Sequence, residues 1–126
     1  MSGLANSKVY ATLGVKDMEE AKQFYGETLG LNLVEENYGG VMYESGGANL
    51  FVYQSDFAGT NQATGASWMV NDIESLVEDM KAKGVTFERY DTMPGEWRGD
   101  VCVMEGMKAA WFKDPSGNIL NLGEAS

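Results

Sequence analysis

Val15-Lys16-Asp17-Met18-Glu19 returns 55 positions later as Val70-Asn71-Asp72-Ile73-Glu74. At both places an apolar stretch ends and a helix opens, because an Asp or Asn ahead of a helix accepts from a free backbone N–H of the first turn. The spacing of a capping box occurs twice, from Asp17 to Glu20 and from Asn71 to Glu74. Beyond these starts, Ala21, Phe24, Tyr25 and Leu29 fall on one helical face, and Ile73, Leu76, Val77 and Met80 on the other. Gly30 and Gly84 then stop the two helices with a left-handed cap.

Working outward, a short strand precedes each helix, at 9–15 and 66–70. Strand-like segments punctuated by glycine follow: 32–35, 40–44 and 48–54 after the first helix, then 86–90, 101–104 or 107–113, and 118–122 after the second. The unit is β-α-β-β-β used twice, in modules spanning 7–55 and 64–123 of a single 1–126 domain. Residues 55–64, rich in Gly, Asn, Gln and Thr, connect them.

The copies differ in one place. From Gly30 to Gly47 is 17 residues, from Gly84 to Gly117 is 33, and the excess of 16 falls around 91–100. A long loop with an aromatic is a candidate lid over 91–106. The alternative is a plain surface loop with Trp97 packed back on its own base.

The 126 residues suffice to bury one core, and 44% hydrophobic with 22% charged residues is ordinary globular composition. There is no histidine, which excludes His-rich zinc sites, Ser-His-Asp triads and Cys-His dyads. The one cysteine, Cys102, cannot form an intramolecular disulfide and reads as a small apolar strand residue. A net charge of −10 opposes binding to nucleic acid and to anionic membranes, and suits a solvated acidic surface or a cationic ligand. The start of the chain has no basic, apolar leader pattern and no apolar run is long enough to span a bilayer, so a cytoplasmic location is expected.

Several segments together resemble the vicinal oxygen chelate superfamily, which contains glyoxalase I, extradiol dioxygenases, fosfomycin-resistance enzymes and bleomycin-resistance proteins. They are Val15-Lys16-Asp17, Phe24-Tyr25 with Leu29-Gly30-Leu31, Val70-Asn71-Asp72-Ile73, Lys83-Gly84-Val85 and Phe112-Lys113-Asp114-Pro115-Ser116-Gly117-Asn118. The last is similar to the family's Asp-Pro-Asp-Gly-Asn turn before the final strand. The resemblance implies an α+β fold of two modules, with a curved mixed sheet around a cleft and helices on its outer faces. It also implies a homodimer, with a cleft formed by one chain or shared by two. Fold does not fix the reaction.

In metal-dependent members the ligands stand on the first and last strands of each module. The matching positions here are Tyr10, Phe51, Gly65 and Asn121, none of them a good divalent-metal ligand. A slip of one residue brings only Val9, Ala11, Leu120 and Leu122. Neither a metal nor another cofactor is therefore expected. Strand alternation fills the cleft instead with Tyr10, Thr12, Asn49, Phe51, Tyr53, Ser67, Met69 and Asn121, joined by Trp97 and Trp111 as candidate ligand-binding residues.

These residues point to a metal-free small-molecule binding protein of the bleomycin-resistance type, holding an aromatic or cationic ligand in an aromatic cleft. The alternative is a metal-independent lyase or isomerase, with Tyr10 or a rim carboxylate (Glu44, Asp100, Glu105 or Glu124) moving the proton. A third reading is an interaction module with Met93, Met104 and Met107 as an adaptable surface.

Overall fold

A computed structural model describes residues 4–37 and 39–125. Residues 1–3, 38 and 126 lie outside it, and with them the ends of the expected 1–126 domain. The first module holds β1 (Ala11–Val15), α1 (Met18–Lys22), β2 (Asn32–Asn37), β3 (Gly40–Ser45) and β4 (Ala48–Gln54). Its sheet runs β1-β4-β3-β2, parallel between β1 and β4 and antiparallel elsewhere.

The second module repeats this plan. It holds β5 (Thr64–Met69), α2 (Ile73–Ala82), the two-residue β6 (Phe87–Glu88), β7 (Glu96–Arg98), β8 (Val101–Met104), β9 (Met107–Lys113) and β10 (Ile119–Ala125). Its sheet runs β5-β10-β9-β8-β7, with β6 also paired to β9 and β5 parallel to β10. Both alternatives for the third strand, 101–104 and 107–113, are strands. The 16 extra residues supply the β7–β8 hairpin, which extends the second sheet.

The helix starts follow their caps. Asp17 accepts from the Glu20 backbone N–H at 3.2 Å, as the spacing predicts. In α2 the cap lies one residue later than the Asn71–Glu74 spacing indicates, where Asp72 accepts from Ser75 N–H at 3.3 Å. Both helices end as expected, with φ of +76° at Gly30 and +93° at Gly84.

The first helix departs from regular α geometry. After Lys22 it widens into a π-helix over Gln23–Thr28, in which Leu29 N–H donates to Phe24 C=O at 2.8 Å. The wider turn accommodates two adjacent buried aromatics, Phe24 against Phe112 and Tyr25 against Tyr43.

Residues alternating along the strands put the helix-facing side of both sheets into one core. Leu13, Val15, Tyr43 and Val52 come from the first sheet and Phe112, Leu120 and Leu122 from the second, with Tyr25, Ile73 and Val77 from the helices. Phe112 sits at its centre, with rings of Phe24, Trp68 and Phe87 within 6.4 Å.

The turn at 114–118 locks the modules together. Buried Asp114 accepts from Ser116 N–H, Asn118 N–H, the Asn118 amide and the Tyr25 hydroxyl. Ser116 Oγ accepts from Lys16 N–H at 2.8 Å, and the Asn118 amide donates to Gly14 C=O at 2.7 Å. A turn of the second module thereby fixes the end of the first module's leading strand. Among the described residues no helix is long and apolar enough to cross a membrane.

Candidate functional site

The candidate residues lie on the sheet faces turned away from the shared core. Thr12 pairs with Phe51 across β1 and β4, and Asn121 with both Ser67 and Trp111, so period-two alternation places each set on one face. On the first sheet Phe51 lies between Tyr10, whose ring meets it edge-on at 6.5 Å, and Tyr53, stacked at 6.2 Å with 10° between planes. On the second sheet Trp111 contacts Tyr90 at 5.7 Å and Trp97 at 6.2 Å. Among the described residues no ring contact joins these two aromatic sets.

The two faces approach along the seam between β1 and β5. At one end a groove of about 560 Å³ brings Tyr10 and Asn49 together with Ser67 and Met69. At the other end Thr12 and Tyr53 line a hollow of about 330 Å³ with Gly65, Ile119, Phe57 and Asn61. Phe51, Trp97, Trp111 and Asn121 line neither hollow. Tyr10 remains 47% and Met69 75% exposed, which leaves large apolar surface open on this side of one chain.

Residues 90–97 fold over the second sheet. Tyr90, Met93, Trp97 and Met104 pack on a small cluster of Cys102, Ala109 and Trp111, separate from the main core. Gly95 passes so close that a Cβ there would fall within 2.8 Å of the Val103 carbonyl oxygen. The sequence alone does not group Cys102 with Trp111, because 101–104 and 107–113 stand there as alternatives for one strand. With both as strands, alternation along them sets Cys102 beside Trp111.

The carboxylates considered for proton transfer have structural partners, apart from Glu105 at the exposed β8–β9 turn. Glu44 accepts from the Asn32 amide and from Gly47 N–H, which together hold its carboxyl below the usual range. Asp100 pairs with Lys81 at 2.9 Å and with Arg89 at 3.6 Å. Glu124 accepts from Ile73 N–H at 2.7 Å and so caps α2 on its helix-facing side. Burial, then the Glu88 charge, raises the Tyr90 phenol above its ordinary value.

The donor set does not fit a divalent metal at the four strand positions. Tyr10 offers a phenol, Phe51 nothing and Gly65 no side chain, and the Asn121 amide is turned to the Ala110 carbonyl at 3.2 Å. Among the described residues no three His, Cys, Asp or Glu side chains cluster as a metal site would require.

The whole architecture recurs in solved structures. A superfamily member from Sphaerobacter thermophilus DSM 20745 is 29% identical, with 93% of this chain and 95% of that one covered and a TM-score of 0.68. TnmS3, an antibiotic binding protein from Streptomyces sp. CB03234, is 23% identical over 96% and 97% of the two chains, with a TM-score of 0.69. A glyoxalase family protein from Enterococcus faecalis is 20% identical over 95% and 99%, with a TM-score of 0.72. Among curated proteins none matches. The family model described as Glyoxalase/Bleomycin resistance protein/Dioxygenase superfamily matches residues 9–122. With that match spanning nearly all of the chain, and the repeated β-α-β-β-β plan behind it, this protein belongs to the glyoxalase/bleomycin resistance protein/dioxygenase superfamily.

Proposed function

We propose that this protein is a cytoplasmic, metal-free small-molecule binding protein that holds an aromatic or cationic ligand against the outward aromatic faces of its sheets. One observation carries the reading: the strand positions at which the family resemblance puts metal ligands hold Tyr10, Phe51, Gly65 and Asn121, which supply aromatic surface and neutral hydrogen-bonding groups. Such a surface grips a flat molecule by stacking, while Thr12, Ser67 and Asn49 orient it. The net charge of −10 favours a cationic ligand. TnmS3, of like fold, is an antibiotic binding protein, which supports a binding role for this scaffold.

The site is completed by a second copy of the chain. Within one chain no ring contact among the described residues joins the set of Phe51 and Tyr53 to the Trp111 set, and the exposed Tyr10 and Met69 leave apolar surface along the seam that a homodimer partner would cover. Titration of tryptophan fluorescence against a library of aromatic, cationic and antibiotic compounds tests the binding reading. A saturable response to at least one compound is expected; silence across the library removes its support.

One observation favours a metal-independent lyase or isomerase as the second reading: the half-exposed Tyr10, whose phenol can donate a proton, lines the seam groove together with Ser67. Turnover that disappears in Tyr10→Phe while binding remains would decide for it.

A further inference from the structure

The face of the second sheet is closed by its own chain. Cys102 is fully buried and Trp111 is 9% exposed, both beneath the segment that carries Met93 and Trp97. The corresponding face of the first sheet has no such cover, and there Thr12 and Tyr53 are exposed. The cover is the segment by which the second module exceeds the first, so the asymmetry of the two faces follows from the added residues.

The covered arrangement leaves one bond unmade. The Tyr90 hydroxyl is the only buried side-chain polar atom among the described residues without a hydrogen-bond partner. The residue as a whole is only partly buried, and its enclosed hydroxyl is a donor left over for an incoming acceptor. The ring that bears this hydroxyl stands edge-on to Trp111, with 85° between planes, while Trp97 meets Trp111 from its own strand. Trp97 thus takes up aromatic surface that a ligand ring would otherwise occupy.

We propose that Trp111, with Tyr90 beside it, is the aromatic ligand subsite of the second sheet; that residues 91–95 and the Trp97 side chain are its displaceable cover; and that the Tyr90 hydroxyl donates to an acceptor on a flat aromatic ligand. The assignment rests on the small-molecule-binding reading and names the ligand class: a planar ring system with a neutral hydrogen-bond acceptor. Arg89, over the Trp97 ring at 6.0 Å and paired with Asp100, holds the cover shut from its solvent side.

The test has two arms. In the first, iodoacetamide labelling of Cys102, the single cysteine, reports opening of the cover without any ligand. Labelling is expected to proceed at a rate insensitive to urea below the unfolding transition, the signature of a local opening. A rate that climbs with urea from the first increments, in step with global unfolding, overturns the displaceable cover.

In the second arm the indole N–H resonances of isotope-labelled protein are followed against isoquinoline and against naphthalene, which has the same shape and no acceptor. Isoquinoline is expected to shift the Trp111 resonance saturably. Tyr90→Phe is expected to weaken isoquinoline about threefold to tenfold, the worth of one neutral hydrogen bond, and to leave naphthalene unchanged. The same variant keeps or raises the thermal midpoint, because it removes the unpaired hydroxyl. An unshifted Trp111, equal weakening of both probes, or a lowered midpoint overturns the subsite. The general binding reading falls separately, only if no compound in the library binds anywhere on the protein.

Discussion

The Tyr25 hydroxyl donates a 2.6 Å hydrogen bond to Oδ2 of Asp114, a residue 89 positions away in the other module, and both side chains are buried. Tyr25 sits on the π-helical turn of the first module, and Asp114 opens the turn that leads into the last strand. The bond ties the helix that follows β1 to the turn that also grips the end of β1. This pair and its neighbours set the relative placement of the two sheets, and so the line of the seam along which the candidate grooves lie.

Tyr25→Phe removes that donor and leaves Asp114 with Ser116 and Asn118. A hydrogen bond to a charged group contributes about 1.5–3 kcal/mol, so stability should fall by that amount. Urea denaturation should show a lower midpoint at unchanged slope. An unchanged midpoint would mean that the bond contributes nothing net.

Alkaline pH gives a second test of the same tyrosine. Burial, followed by the Asp114 charge, holds the Tyr25 phenol well above its ordinary value of 10.0. The unfolded chain therefore releases this proton at a pH where the folded protein retains it. Stability is intact below about pH 10 and declines as pH rises past it, by about 1.4 kcal/mol per pH unit for each such group. Tyr43 and Tyr90, also raised by burial, act in the same direction. Above pH 10 the stability gap between wild type and Tyr25→Phe should narrow at that slope, as read from urea midpoints; a constant gap would contradict the assignment.

Glu124 is a helix cap, so its removal should affect stability. Glu124→Ala should cost about 1 kcal/mol, the usual worth of a capping side chain, while Glu124→Gln retains an acceptor for Ile73 N–H and costs less. Equal losses in both variants would show that the negative charge at the helix terminus matters more than the hydrogen bond.

Tyr53 lies on the exposed aromatic face, stacked on Phe51. Tyr53→Ala should weaken whichever aromatic compound the fluorescence screen returns by about fivefold, in keeping with a stacking contribution near 1 kcal/mol. Its thermal midpoint should move little, since surface substitutions change stability by about 0.5 kcal/mol or less. An unaffected Kd would place the ligand away from the first sheet.

Much of the fold was legible because it is written in local spacing. Asp17 ahead of Glu20, the two helix-ending glycines and strand alternation each act within a few residues, and each holds in the structure. The π-turn was not legible, because it follows from the simultaneous burial of adjacent Phe24 and Tyr25 against partners in different sheets. The cap of α2 moved to Asp72, where the chain leaves β5 after Val70 N–H bonds to the Gly123 carbonyl. The role of Glu124 rests on a contact between residues 51 apart, which no spacing rule contains. For the candidate site, alternation groups Thr12 with Phe51 and Ser67 with Asn121, and the strand registers pair them in the same way. It could not tell which faces meet, since that depends on how the sheets fold about the seam; of the two readings of the long loop, Trp97 is found packed back on the sheet at Trp111.

The most direct measurement is native mass spectrometry of protein purified without chelator, which reports subunit count, metal content and retained small molecules in one spectrum. The proposed binding protein is expected to be a metal-free dimer, with any additional mass organic in origin. A monomer, or a stoichiometric divalent metal on each chain, would contradict it.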